Sequence, residues 1–354
     1  MKFSYNFPAV KGIQAGREFY ISMVPLKLLS RLFPSNEEIV PPEHRAQRRI
    51  NEARIPEIKR YILDNRDNYV FSALSASIDG NFEFVSQDGS DVGTLVVDME
   101  SVFLINDGQH RKAAIEAAMK EDVSLENETI SLVFFEDAGL ARSQQMFTDL
   151  NKHAVKTSNS LATLYDARDE IAVSTKIIID TIPFFRHFTD KERDILGKNS
   201  SNLFTLNMIY KANQKVLHCD RCSLDDERFL LSFWALVADN IVEWQEVLAK
   251  TLTKKALREN YIVVLAITIS ALGKLGRFFY DNREYNMKKY LPRLREIDWL
   301  RSNPDWVGRT IRENGKVLNS EEAILLTCSQ IKTKIGLPLS KDEQQREKQI
   351  TEKM

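Results

Sequence analysis

Hydrophobic and polar positions alternate in short stretches along the first part of the chain, and this pattern predicts β-strands. The predicted strands cover residues 17–25, 69–78, 82–86, 93–99, 102–105 and 129–136. Asp79-Gly80 lies between the second and third strands and predicts a hairpin turn that joins them. Helical spacing predicts a short helix at 26–33 and a further helix from Gly139 onward. We therefore expect a mixed α/β domain over residues 1–155.

After residue 155 the strand pattern gives way to long helical periods. The predicted helices cover residues 160–181, 203–217, 225–252 and 255–280. We expect an all-helical domain over 156–335, followed by a polar, frayed tail at 336–354. Trp234 and Trp244 are ten residues apart on one predicted helix, and we interpret them as core residues that share a face. The predicted fold class is α+β.

Composition limits the classes of protein that the chain can be. Its 354 residues are 43% hydrophobic and 28% charged, which is typical of a soluble globular protein. The net charge of −1 gives no sign of nucleic-acid binding, so any such binding must come from local patches. The three cysteines fit a reducing cytoplasm, and the amino terminus lacks the apolar stretch of a signal peptide. The most apolar run, 261–272, is too short to span a bilayer. We expect a cytoplasmic protein without a membrane partner.

The stretch around Asp107-Gly108-Gln109-His110-Arg111 combines a predicted strand end, a glycine turn and a predicted helix start. Such a corner directs free backbone N–H groups and a positive dipole end at one point, which favours an anion. Gly108 permits positive φ or close backbone approach, and Arg111 can bind a phosphate through its guanidinium fork. Asp107 and His110 can hold a metal ion or move a proton. The alternative is a plain corner in which Asp107 caps the helix and the charges face water.

This stretch resembles the DGQHR signature of the DndB family, which belongs to bacterial DNA phosphorothioation systems. Gly108-x-x-Arg111-x-x-Ala114 is also similar to the GxxRxxA box of ParB-like nucleotide-binding domains. Residues 47–51, residues 147–152 and the carboxy-terminal helical region resemble the same family, so the likeness covers most of the chain. The resemblance implies a ParB-like fold for residues 1–155 and a role as a transcriptional repressor of the phosphorothioation gene cluster.

The resemblance also implies a nucleotide or phosphate site near the DGQHR turn. Its candidate residues are Gly108, Gln109, Arg111, Arg48, Arg49 and Asn151. Asn151 looks like the asparagine of the ParB-like phosphate pocket, although the usual Glu-Asn-x-x-Arg pattern is absent. It can equally be a helix carboxy-terminal cap, on a helix that we expect to bury Phe147 and Leu150.

Two basic regions are candidates for contacting DNA phosphates. Residues 43–60 hold six Arg or Lys against three Glu, and residues 274–301 hold eight against four acids. A third group at 306–316 would present its cations on one helix face. The candidate residues are Arg45, Arg54, Lys274, Arg277, Lys288, Lys289, Arg309 and Arg312. Each region can equally be a solvated surface. Cys219 and Cys222 form a lone CxxC, which we interpret as ordinary cysteines at a helix end, and we predict no metal site.

Two functions are open at this point. The first is a homodimeric repressor that binds double-stranded DNA at its own promoter and is switched by a nucleotide at the DGQHR turn. The second is a nucleoside triphosphatase, coupled to DNA nicking, in which Asp107 holds Mg²⁺ and His110 carries protons. The chain has no Walker-type Gly-x-x-x-x-Gly-Lys-Ser/Thr stretch, so any hydrolysis would not be P-loop chemistry.

Overall fold

The computed structural model describes residues 3–34, 50–137, 139–152, 157–198, 200–219 and 221–351. The chain divides into two compact units, Met1–Val155 and Lys156–Met354. None of the described helices combines the length and the apolar character that crossing a lipid bilayer requires. The first unit contains a mixed sheet and the second is mainly helical, so the predicted α+β class is confirmed.

The first unit is built on a seven-stranded sheet. Its strands are β1 (Ser4–Gln14), β2 (Arg17–Pro25), β3 (Leu74–Asp79), β4 (Phe82–Ser86), β5 (Val92–Asp98), β6 (Val102–Asp107) and β7 (Thr129–Glu136). Their order across the sheet is β4-β5-β1-β2-β7-β3-β6, and neighbours are antiparallel except for the parallel pair of β3 and β7. Its described α-helices are α1 (Leu29–Leu32), α2 (Ile55–Asp64), α3 (Gln109–Met119) and α4 (Leu140–Lys152).

One face of this sheet carries the hydrophobic core of the unit. Alternate residues of β1, such as Phe7 and Ala9, point into the core, where they meet apolar side chains of α1 and α3 such as Leu29 and Ile115. This alternation is the period-two pattern of a half-buried strand. On the other face, α4 lies against β6. The inward residues of α4 are Ser143 and Met146, whereas Leu150 is 41% exposed, so the inward placement predicted for Leu150 is wrong.

One prediction for the first unit fails because strand pairing is not local. Asp79-Gly80 does not form a hairpin: β3 pairs with β6 and β7, whereas β4 pairs with β5. The long strand β1 was not predicted, although it pairs with both β2 and β5 near the centre of the sheet. The periods of β2 and β7 are visible in the sequence, and their predicted bounds are confirmed.

The second unit contains most of the helices. They are α5 (Asn159–Tyr165), α6 (Glu170–Thr181), α7 (Pro183–Phe188), α8 (Leu206–Leu217), α9 (Leu224–Asn240), α10 (Val242–Leu248), α11 (Lys254–Asn260), α12 (Ala266–Asp281), α13 (Met287–Tyr290), α14 (Glu321–Ile335) and α15 (Lys341–Thr351). Two-residue strands β8 (Thr189–Asp190) and β9 (Phe204–Thr205) pair in parallel. Helices α8 and α12 approach closely at Gly273, where an added Cβ would lie 2.6 Å from the carbonyl oxygen of Ala212.

Three predicted long helices are each two helices in the structure. The stretch 160–181 breaks before Asp169, whose side chain accepts a hydrogen bond from the Ala172 N–H and so starts α6. The stretch 225–252 breaks at Ile241, and 255–280 breaks at Tyr261, which bridges to the chain at Leu300. Apolar residues continue through the breaks at Ile241 and Tyr261, which is why the pattern alone does not reveal those two, whereas the first break contains the mostly polar stretch 166–170.

Trp234 and Trp244 are both fully buried, so the core interpretation is confirmed, but they lie on different helices. Trp234 Nε1 donates to Asn213 Oδ1 at 2.6 Å, and the Trp244 ring stacks on Phe184 with ring centroids 4.8 Å apart. Both tryptophans therefore join helices together and are not available for base stacking.

The two carboxy-terminal predictions are also corrected. Residues 306–316 do not form a helix: the chain makes turns there, with positive φ at Gly308 and Gly315. Arg309, Arg312 and Lys316 therefore do not share a helix face. The region predicted as a frayed tail contains the helix α15, which is joined to the rest of the unit by ion pairs.

Candidate functional site

The DGQHR turn is a strand–turn–helix corner, as the pattern predicts. Strand β6 ends at Asp107 and helix α3 begins at Gln109, with Gly108 between them at φ +103°. Only glycine adopts this φ without strain. A Cβ at Gly108 would also lie 2.3 Å from Leu74 Cδ2, so the close approach to β3 excludes any larger side chain.

The Arg111 guanidinium is engaged inside the unit. Its Nη2 lies 2.6 Å from Asp107 Oδ2, and its Nη1 donates to the carbonyl oxygens of Ser72 and Ala73 at 2.7 and 2.9 Å and to the Ser72 hydroxyl. Ser72 and Ala73 lead into Leu74, the first residue of β3. Arg111 therefore ties the first turn of α3 to the start of the neighbouring strand. A phosphate that bound Nη1, or the Nη2 N–H that faces Asp107, would displace these internal bonds.

Asp107 is an ion-pair partner and not a helix cap. The residue at the cap position is Gly108, and no side chain caps α3. The interpretation of Asp107 as a capping residue is therefore wrong. Its Oδ2 faces Arg111, so a Mg²⁺ ion at Asp107 would compete with the guanidinium for the same carboxylate.

His110 joins the DGQHR turn to residues 50–54. Its Nε2 accepts a hydrogen bond of 2.9 Å from the Asn51 N–H. The Asn51 side chain in turn accepts from the Ala53 N–H at 3.2 Å and begins a 3-10 helix, Glu52–Arg54, that continues into α2. Two stretches that carry the family resemblance thus meet at His110.

Asn106 is a residue of this corner that sequence reasoning treated only as a turn signal. It is fully buried beside α4, where its Nδ2 lies 2.7 Å from Ser77 Oγ and 3.2 Å from Met146 Sδ. Its Oδ1 has no hydrogen-bond partner among the described residues. Asn106 therefore fixes the end of β6 from the face opposite the core. The sequence signal that could have identified Asn106 is a polar residue that directly follows the apolar residues of a strand.

Of the remaining phosphate-site candidates, Gln109 lies in this corner and the others fall outside the described residues. Gln109 is the first residue of α3 and half-buried. Arg48 and Arg49 fall outside the part of the chain that the structure describes, as does the side chain of Asn151 in the last turn of α4. The phosphate site formed by these residues stays a prediction.

Three of the candidate DNA-binding cations already have partners within the protein. Lys274 lies 3.1 Å from Glu321 Oε1, and Arg277 lies 2.6 Å from Asp281 Oδ2. Arg277 also donates to the carbonyl oxygen of Leu217 at 2.6 Å, which satisfies the end of α8. The third, Arg309, binds Glu347.

Four other candidates, Arg54, Lys288, Lys289 and Arg312, are exposed, and no carboxylate among the described residues pairs with them. Lys288 and Lys289 are adjacent on the short helix α13, whose first turn is capped by the Asn286 side chain. Arg45 falls outside the described part of the chain.

The CxxC pair shows no metal geometry within the described residues, where no three His, Cys, Asp or Glu side chains converge. Cys219 is exposed, and Cys222 Sγ lies 3.3 Å from Ser174 Oγ. Burial raises the pKa of the Cys222 thiol, which disfavours the reactive thiolate.

Comparison with known proteins gives one informative result. The family model of DndB, described as DNA-sulfur modification-associated, matches residues 7–338. No curated protein and no solved structure gives a significant match. The family match spans both units, from β1 to the end of α14, and includes the corner at Gly108. The chain therefore belongs to the DndB family of DNA-sulfur modification-associated proteins.

Proposed function

We propose that the protein is a DNA-binding repressor of a DNA phosphorothioate-modification gene cluster and acts as a homodimer at its own promoter. The family description supports a role linked to DNA modification. The observation that carries the DNA-binding part is the exposed surface formed by Arg283, Lys288 and Lys289, here called the α13 surface. None of these cations forms an ion pair with a carboxylate among the described residues, although Arg283 lies close enough to Asp226 to help lower the pKa of that carboxyl.

Aromatic rings lie beside two of the three cations of the α13 surface, Arg283 and Lys289. The Arg283 guanidinium lies 4.4 Å from the ring centre of Phe229 and 4.5 Å from that of Tyr280. Lys289 Nζ lies 5.4 Å from the ring centre of Tyr290. Side chains that are already positioned lose less conformational entropy when they contact a phosphate. Together these features favour contact with a nucleic-acid backbone, although they carry no information on base sequence.

Gel shifts with the protein's own promoter test the proposal. The double substitution Lys288→Gln and Lys289→Gln should weaken binding by about tenfold and reduce the salt slope by about 0.9 for each lysine. Lys274→Gln is the matched control for the single substitution Lys288→Gln, because it removes the same one charge from a lysine that is bound to Glu321. Equal weakening by the control, or a salt slope that does not change, would contradict the α13 surface as the contact.

The nucleotide with Mg²⁺ stays a prediction. Asp107 and Arg111, which would bind the metal and the phosphates, bind each other. His110 Nε2 is occupied by the Asn51 N–H, so proton transfer through that atom would need residues 50–54 to move. The triphosphatase alternative therefore requires this corner to open. If Asp107→Asn leaves phosphate release unchanged, the triphosphatase alternative is excluded.

A further inference from the structure

The helix α15 is attached to its unit mainly through charged side chains. Glu347 forms a forked pair with Arg309, with Oε2 3.1 Å from Nε and also bound to Nη2. Glu343 Oε2 lies 2.6 Å from Lys332 Nζ, on α14. Both cations are largely removed from solvent: the Arg309 and Lys332 side chains are 12% and 5% exposed. Two carboxylates, one helical turn apart, thus occupy two cations.

Apolar contact contributes little to this attachment. No residue of α15 between Lys341 and Ile350 is fully buried. A cleft of about 550 Å³ lies between α15, α14 and the turns that follow Trp306, with Leu326 and Ile350 among its walls. A segment with few buried apolar contacts opens at low free-energy cost. The ion pairs are therefore the main restraint on α15.

A third cation lies beside this cleft. Arg312 is exposed on the turn 312–316 and has no carboxylate partner among the described residues. If α15 moved away, Arg309, Arg312 and Lys332 would present three positive charges, beside two glutamates that line the same cleft, Glu313 and Glu322. The geometry of these cations already accepts anionic oxygens, because the α15 carboxylates bind there in the positions that phosphate oxygens would take.

We propose that α15 is an intramolecular competitor that covers a second nucleic-acid-binding surface, formed by Arg309, Arg312 and Lys332. This inference rests on the proposed DNA-binding function. Binding of duplex DNA to this surface displaces Glu343 and Glu347, and the phosphate backbone takes their places on the cations. Part of the binding free energy is then used to release α15, so the covered surface lowers the affinity of the resting protein.

Substitution of Glu347 in the full-length chain tests this competition. Glu347→Gln removes the partner of Arg309 and should tighten binding to promoter duplex by about fivefold. Glu343 is less suitable for the test, because it also accepts the Ser340 N–H at the start of α15. The matched control is Asp342→Asn, which removes one negative charge from the same helix at an exposed residue that has no ion-pair partner among the described residues. A purely long-range charge effect would be the same for both substitutions.

Hydrogen exchange gives a second readout that does not depend on affinity. Saturating duplex should reduce the protection of the amides of α15 in the unchanged protein, and Glu347→Gln should reduce it without DNA. DNA binding that leaves α15 protected, or equal affinities for Glu347→Gln and Asp342→Asn, would overturn the inference while leaving the proposed function in place. Absence of DNA binding by both the unchanged protein and Glu347→Gln would contradict the inference and the proposed function together.

Discussion

The DGQHR corner of the first unit and the α13 surface of the second unit differ in whether their cations are paired within the protein. At the corner, Arg111 is 17% exposed and is bonded to Asp107 and to the chain before β3. On the α13 surface, Lys288 and Lys289 are exposed, and no carboxylate among the described residues neutralises them. A cation that is satisfied internally stabilises the fold, whereas an exposed and unpaired one is available to a partner. The comparison separates a motif that marks the family from the surface that we propose contacts DNA.

Of the substitutions considered, Gly108→Ala should lower the free energy of unfolding the most. The substitution imposes positive φ on a residue with a Cβ and brings that Cβ against Leu74, so we expect a loss of about 3 kcal/mol in unfolding free energy. Gly16→Ala is the matched control, since Gly16 has φ +73° and no atom within 4 Å of its added Cβ. It should lose only about 1 kcal/mol. Denaturant unfolding measures both, and equal losses would show that contact with Leu74 does not matter.

Arg111→Met tests the internal role of the guanidinium directly. It keeps the aliphatic part of the side chain but leaves Asp107 and two carbonyl oxygens without their donor, so we expect a loss of about 2 kcal/mol. Hydrogen exchange should increase first in β3 and α3, which the guanidinium joins. The exposed Arg54→Met should change stability by less than about 0.5 kcal/mol. A stable Arg111→Met variant that had lost nucleotide binding would instead assign Arg111 to a phosphate.

The sequence predicted those parts of the corner that depend on neighbouring residues. Strand β6, the turn at Gly108 and the start of α3 follow from a local pattern, whereas the pairing of Asp107 with Arg111 was not predicted, although these residues are only four apart. The hydrogen bonds from Arg111 to Ser72 and Ala73 could not be predicted, because these residues lie 39 and 38 positions away from Arg111 in the chain. Pairing between distant segments also explains why the hairpin at Asp79-Gly80 was wrong.

The same limit applies to the basic regions. Counting charges identified residues 274–301 and 306–316, but it could not show which cations have carboxylate partners. The partners of Lys274 and Arg309 are Glu321 and Glu347, which lie 47 and 38 residues further along the chain. A local excess of positive charge therefore overstates the surface that is available to DNA until these partners are known.

Glu243 is an unpaired charged group of a different kind, because its carboxylate is partly buried. Burial, with a smaller contribution from the nearby Glu246 and Asp298, raises the pKa of Glu243 from its ordinary value of 4.5 to about 7. Its Oε2 has no hydrogen-bond partner among the described residues. The folded state therefore binds a proton more tightly than the unfolded state. The resulting stabilisation is complete below about pH 4.5 and is lost as the pH rises through 7.

Glu243→Gln should remove this part of the pH dependence. The variant should gain about 1 kcal/mol at pH 8, where the unchanged protein holds an ionised and poorly solvated carboxylate, and gain little at pH 5. Glu322→Gln, at an exposed position on α14, should leave the pH profile unchanged. Unfolding curves between pH 5 and pH 8 measure the difference. A gain that is the same at both pH values would show that Glu243 acts through packing and not through its ionisation. Asp107 in the first unit is the contrasting case, because its carboxylate is paired with Arg111.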